Sequence, residues 1–153
     1  MDDGWFDADP AAMPLARLLT WTGAALAQAH RRAVGEHGLT STGLGLLGVL
    51  AGADGMSHRD ACGRLGVTPA TLTPVVDALE RDGAVVRVRD VADRRIVRLA
   101  ITAPGRERLH AVHAEVAATL YRLLPTPAPE QAAVVRDYLH AVLAALPPGA
   151  GEG

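Results

Sequence analysis

A mainly α fold carrying one small β-hairpin (α+β) is predicted for this 153-residue chain by three observations. Apolar residues recur at helical spacing along most of the sequence. The period drops to two only in VVRVR and IVRLAI, residues 85–89 and 96–101. Aromatic residues make up 3% of the chain while Ala, Leu and Val dominate, a composition that suits close-packed helices better than a β-sandwich. With 49% hydrophobic residues the chain can bury a sizeable core, and its length suits one domain with helical extensions.

Each element follows from local signals. From Pro10 to His37 the positions of Leu15, Leu18, Leu19, Ala25, Leu26 and Ala29 predict one long helix, ended by a turn at Gly38. LTSTGLGLLGVLAGADG offers Ser41 or Thr42 as N-cap, an apolar run and a glycine-rich stop. SHRDACGRLG predicts a short helix, with Ser57 and Asp60 spaced as a capping box. TPATLTPVVDALERDG opens on Thr68 as N-cap with Pro69 at N1; Leu72, Val75, Val76 and Leu79 form its apolar stripe, and Gly83 closes it. Strict alternation then puts Val86 and Val88 opposite Arg87 and Arg89, and Val97, Leu99 and Ile101 opposite Arg98 and Ala100, a hairpin around DVADRR. A long amphipathic helix with Leu109, Val112, Val116, Leu120 and Leu123 on its stripe follows Thr102. PTPAP breaks the chain, EQAAVVRDYLHAVLAAL forms a last helix, and the PPGAGEG tail is expected to fray. The order α-α-α-α-β-β-α-α, with two short helices joined by a glycine-containing turn and then a hairpin, is the plan of a winged helix-turn-helix.

Charge is unevenly placed. The net charge is −2, yet residues 57–108 hold ten Arg against seven acids, leaving five Arg against ten acids elsewhere. All fifteen basic residues are Arg. A basic middle between acidic, apolar flanks points to an anionic partner. In a helix-turn-helix the second helix enters the DNA major groove by its N-terminal end. Here that end exposes Thr68, Ala70, Thr71 and Thr73, while Arg94 and Arg95 at the hairpin tip have the reach to enter a minor groove. Asp93 beside them is placed to hold the loop's shape. Ser41 and Ser57, at helix starts, are further candidates for phosphate contact.

The acidic N-terminus, MDDGWFDADP, lacks the basic and apolar regions of a secretion signal, and no apolar run reaches about 18 residues. With a single cysteine, these features lead us to expect a cytoplasmic protein. There is no glycine-rich phosphate loop, HExxH or GxSxG, so no enzyme is expected.

The segment from Met56 to Leu109 resembles the core of the multiple antibiotic resistance regulator (MarR) family. LGVTPATLTPVVDALERDG, the wing DVADRR and LAITAPG carry the likeness, which is strong over about residues 40–110. It implies a single unit over 1–153, with 10–38 and 104–146 as dimerisation helices around a DNA-binding lobe at 40–102. It also implies a homodimer on double-stranded DNA, repressing nearby genes from a pseudo-palindromic operator and relieved by a small ligand. By position, Thr68, Thr71 and Thr73 face the major groove and Arg94 and Arg95 serve the wing. Pro74 in the second turn of the recognition helix, and Ala61 in place of a larger apolar residue, depart from the family pattern.

No cofactor is required by this reading. Zinc and a small organic effector are the two candidates. His110 and His113 lie at i, i+3, and His30 and His37 flank the end of the first helix; helical spacing of three or four can supply two zinc ligands. The second helix, however, offers no His, Cys or acid, and His113 falls close to the apolar stripe. Cys62 reads as a small core residue in preference to a redox sensor. Trp21 reads as part of a dimer interface before a ligand pocket. A zinc-responsive regulator of the same fold, and a winged protein-interaction module that has lost DNA binding, are the alternatives.

Overall fold

The computed structural model describes residues 13–53, 55–90 and 96–146. Its helices are α1 (Leu15–Glu36), α2 (Ser41–Ala51), α3 (His58–Leu65), α4 (Pro69–Arg81), α5 (Ala103–Leu123) and α6 (Pro129–Ala145). Three strands, β1 (Met56–Ser57), β2 (Val85–Arg89) and β3 (Val97–Ile101), form an antiparallel sheet in the order β1-β3-β2. Mainly helical with a small sheet, the fold is a winged helix-turn-helix flanked by long helices.

The core gathers around α2. Leu46, Leu47 and Leu50 are fully buried there, with Val34 of α1, Leu72 and Val76 of α4, Val85 of β2 and Leu99 of β3 packed into the same cluster. The first helix of the motif ends at Gly66 with φ 62°, a left-handed conformation that costs glycine nothing and turns the chain sharply into α4. Cys62 is buried in this cluster, as a small core residue should be.

Two expectations are corrected. The sheet has a third strand: Met56 and Ser57 pair with Leu99 and Arg98, a two-residue strand too short to show any period. Thr40, not Ser41 or Thr42, caps α2, its side chain accepting from the Gly43 N–H at 3.0 Å. For β2, where the alternation of Val86 and Val88 with Arg87 and Arg89 left the inward face open, the pairing decides it. Register pairs Val85 with Ile101 and Arg87 with Leu99, so Val85 faces the core, while Val86 and Val88 are exposed on the opposite face. Alternation defines two faces, and only the pairing decides which of them is inward.

The start of α5 is stitched to the turn before β2. Thr102 caps α5 by accepting from the Gly105 N–H at 3.0 Å, and its hydroxyl donates to the Gly83 carbonyl at 2.7 Å. Gly105 lies so close to this turn that a Cβ there would stand 2.1 Å from the Ala84 carbonyl oxygen. Gly105→Ala is therefore expected to force the two segments apart and cost about 2–3 kcal/mol or more. A urea midpoint equal to wild type would refute the close approach. Pro74 has the opposite sign. The helix runs unbroken from Pro69 to Arg81, yet Pro74 supplies no N–H to the Ala70 carbonyl. Pro74→Ala is expected to raise unfolding free energy by about 1–3 kcal/mol, read from the same urea titration.

Candidate nucleic-acid interface

The N-terminal turn of α4 is built by its threonines. Thr68 Oγ1 accepts from the Thr71 N–H at 3.3 Å and lies 3.0 Å from Thr71 Oγ1, while Pro69 occupies N1. With Leu72, Val76 and Leu79 buried beneath, Thr68, Ala70, Thr71 and Thr73 are all exposed. The two hydroxyl groups at the tip and the positive end of the helix dipole give this surface donors for phosphate and base edges. The Ala70 methyl adds an apolar contact of the kind that meets a thymine methyl.

Thr73 is held differently. Its hydroxyl donates to the Pro69 carbonyl at 2.8 Å and lies 3.4 Å from His58 Nε2. His58 is the first residue of α3, and its Nδ1 lies 3.7 Å from Cys62 Sγ. Nothing in the sequence links positions 58 and 73. The contact exists only because α3 and α4 cross.

The two serines are less available than expected. Ser57 does cap α3, accepting from the Asp60 N–H at 3.1 Å, but its hydroxyl hydrogen goes to Asp60 Oδ2 at 2.7 Å. Ser41 Oγ is enclosed at the first turn of α2 without a hydrogen-bond partner, so it presents no oxygen to a phosphate. Asp93, Arg94 and Arg95 lie outside the described residues.

The wing's base is fastened by the arginines that alternation placed on it. Arg87 of β2 pairs with Asp77 at 2.6 Å and with Glu80, both on α4. These carboxylates, the Asp77 hydrogen bond foremost, hold its guanidinium still more firmly protonated than usual. Arg98 of β3 pairs with Asp90 at the end of β2. Arg87 thus ties the hairpin to α4, fixing the angle between the two elements. The charge pattern of the sequence counts both arginines towards an anionic partner, whereas the fold pairs them internally.

The four histidines do not converge. His37 caps α1 and pairs with Glu115 of α5 at 3.5 Å, His30 is half-buried on α1, and His110 and His113 are exposed on α5. His113, expected near the apolar stripe, points to solvent. Among the described residues no group of three or more His, Cys, Asp or Glu is placed to hold a metal ion. Trp21 lies under Arg17, whose guanidinium carbon is 5.6 Å from the ring centre. No described helix is long and apolar enough to cross a membrane.

Comparison with known proteins bears directly on this arrangement. The sequence profile of the MarR family matches residues 37–96. The HTH-type transcriptional regulator TtmR of Methylorubrum extorquens (strain PA1) is 37% identical over 82 residues, 54% of this chain and 42% of that protein. The chain therefore spans less than half the length of this curated relative. Among solved structures, the transcriptional repressor CouR bound to a 23-mer DNA duplex is 26% identical, with a TM-score of 0.70 over 86% of this chain and 90% of that one. CouR from Rhodococcus jostii RHA1 bound to p-coumaroyl-CoA gives 26% and a TM-score of 0.66 over 88% and 94%. Wild-type MarR from E. coli, in its apo form, shares the fold at 22% identity, with a TM-score of 0.75 over 86% and 97%. Over residues 37–96 the chain is similar to the MarR family, and on both sides of that match it continues the fold seen in the solved structure of MarR.

Proposed function

We propose that this chain is a sequence-specific DNA-binding transcriptional regulator, a repressor acting as a homodimer on a pseudo-palindromic operator. The observation that carries the reading is the exposed Thr68–Ala70–Thr71–Thr73 surface at the start of α4, locked beside a two-stranded wing through Arg87. Helix α4 enters the major groove, and Arg94 and Arg95 at the wing tip reach the adjoining minor groove, with Asp93 holding the loop. The DNA complex of CouR, on the same fold, supports this docking.

Dimerisation is favoured by what the protomer leaves uncovered. Helix α6 buries none of its residues, and Val134, Tyr138, Leu139 and Leu143 are exposed along it, as are Tyr121 and Leu123 of α5. So many exposed apolar side chains are costly in water and are covered economically by the same surface of a second copy. Residues 10–38 and 104–146 are the dimerisation helices of this reading, and residues 40–102 the DNA-binding lobe. Two lobes then present two recognition helices, and half-sites centred about one helical turn apart, roughly 34–36 Å, follow.

A small organic effector is the modulator this reading favours. A cleft of about 320 Å³ opens between the start of α2 and α4, lined by Thr40, Gly43, Pro74, Val75, Ala78 and Asp82. A molecule seated there touches the recognition helix directly. The complex of CouR with p-coumaroyl-CoA supports ligand control on this fold, without naming the ligand here. The protein acts in the cytoplasm, where its operator is, and no enzyme activity is assigned.

Two measurements test the reading. Binding to DNA upstream of the protein's own gene is expected to be tight and to weaken steeply between two salt concentrations. Arg94→Ala/Arg95→Ala is expected to bind about tenfold more weakly or worse, with the salt slope reduced by roughly one for each phosphate that the variant no longer neutralises. Salt-insensitive binding, or a double variant equal to wild type, would favour a protein-interaction module instead. Sedimentation is expected to give a dimer for wild type, and a monomer when Leu139→Glu and Leu143→Glu place charge on the uncovered face of α6; a dimeric double variant would move the interface elsewhere.

A further inference from the structure

The hydrogen bonds around His58 have a determinable direction. Thr73 has one hydroxyl hydrogen, and the Pro69 carbonyl, 2.8 Å away, can only accept it. With its hydrogen committed, Thr73 Oγ1 meets His58 Nε2 at 3.4 Å as an acceptor, so Nε2 carries the ring hydrogen. In the neutral imidazole Nδ1 is then bare and takes the Cys62 S–H at 3.7 Å. A single chain of donors results, from the buried Cys62 thiol through His58 to Thr73 and on to the Pro69 carbonyl. Cys62, enclosed in the core, anchors the ring, and the ring anchors a side chain on the exposed face of α4.

A threonine held in this way is no longer ambivalent. An unrestrained hydroxyl rotates to donate or accept, and so contacts any base edge or a phosphate. Thr73 has only a lone pair left to offer. Phosphate oxygens, guanine N7 and O6, adenine N7 and thymine O4 are all acceptors and gain nothing from it. The major-groove donors are the amino groups, N6 of adenine and N4 of cytosine. We propose that His58 is a positioning residue that fixes Thr73 as a hydrogen-bond acceptor, so that this position of the recognition helix selects adenine or cytosine over guanine or thymine in the strand it faces. The inference rests on the reading of α4 as the major-groove helix.

Two readouts test it on the full-length protein. Long-range ¹H–¹⁵N correlation of the histidine rings, without DNA, is expected to give His58 as the Nε2–H tautomer; the Nδ1–H tautomer would overturn the proposal. Selection of bound sequences from random duplex DNA is then compared for wild type, His58→Ala, His58→Gln and Thr73→Val. Wild type is expected to prefer adenine or cytosine at one position of each half-site by about five- to tenfold. His58→Ala and Thr73→Val are each expected to lose that preference while the other positions of the site stay readable. The double variant should lose no more than either alone. His58→Gln, which keeps an N–H donor, is expected to restore part of the preference. An unaltered preference in His58→Ala, or a guanine or thymine preference in wild type, would overturn the role given to His58. Wild type that enriches no sequence would overturn the DNA-binding reading and this inference with it, and the ring spectrum separates that failure from a misassigned His58.

Discussion

Everything in this fold is arranged on one helix that is almost entirely enclosed. Helix α2 buries Leu44, Leu46, Leu47 and Leu50 along one broad face, leaves only Gly48 exposed, and packs against α1, α3, α4, α5 and β3. A helix rich in leucine and without a charged residue must be largely enclosed, and enclosure demands close neighbours. Its glycines provide them: a Cβ at Gly45 would stand 3.1 Å from Leu65 of α3, and one at Gly43 would stand 3.3 Å from the capping Thr40 hydroxyl. Helices of the motif and helices of the flanks thus share a single support. Leu72, Val76 and Leu79 fix α4 on it, and Leu109 and Val112 fix α5. The pose of α4 is set by the same packing that holds the flanking helices.

The arginines are divided between holding this frame and facing outward. Within residues 57–108, Arg87, Arg98 and Arg108 pair with Asp77, Glu80, Asp90 and Asp82, and Arg106 donates to the Ala51 carbonyl at 3.1 Å. Exposed pairs such as these contribute little stability, about 0–1 kcal/mol each, but they set angles between elements. Arg108 also donates to the His37 carbonyl at 3.2 Å, joining the end of α1 to the end of α4 through one side chain. Set those groups aside and, among the described residues of this segment, Arg59, Arg64, Arg81 and Arg89 remain against Asp60 and Glu107. An excess of two positive charges is left there, and the acids that diluted it are neutralised. What faces outward is more purely basic than the composition of the segment.

What the sequence made legible was whatever is decided within a few residues. Thr68 with Pro69, Ser57 with Asp60, and the glycine turns at 38, 66 and 83 each carry their own cause, and each stands where local chemistry put it. The failures are pairings across the chain. Strand β1 exists only because β3 has an edge to offer Met56 and Ser57. The inward face of β2 depends on Val85 meeting Ile101, and alternation within VVRVR is silent on that. Arg87 looks like a ligand-facing residue in the sequence because its partners, Asp77 and Glu80, lie ten and seven positions back on another element. His58 is invisible there for the same reason. The family likeness supplies the outline of the site, and the side-chain geometry supplies the division of labour within it.

Pro74 and Thr73 are best understood together. A residue preceding proline is pushed away from the α region, and the missing N–H at position 74 removes the donor that the Ala70 carbonyl would otherwise have had. Helix α4 nevertheless continues to Arg81. The Thr73 hydroxyl, donating to the Pro69 carbonyl one turn earlier, adds a bond across the turn that proline weakens. That bond commits the only hydrogen Thr73 possesses, and commitment is what turns the side chain into a pure acceptor. A departure from the family pattern in the middle of the recognition helix and a histidine on the preceding helix therefore act on the same hydroxyl. Proline makes the intrahelical bond worth keeping, and His58 fills one of the two lone pairs that remain. The residue left facing outward has been narrowed from two sides, by helix repair below and by an imidazole beside it.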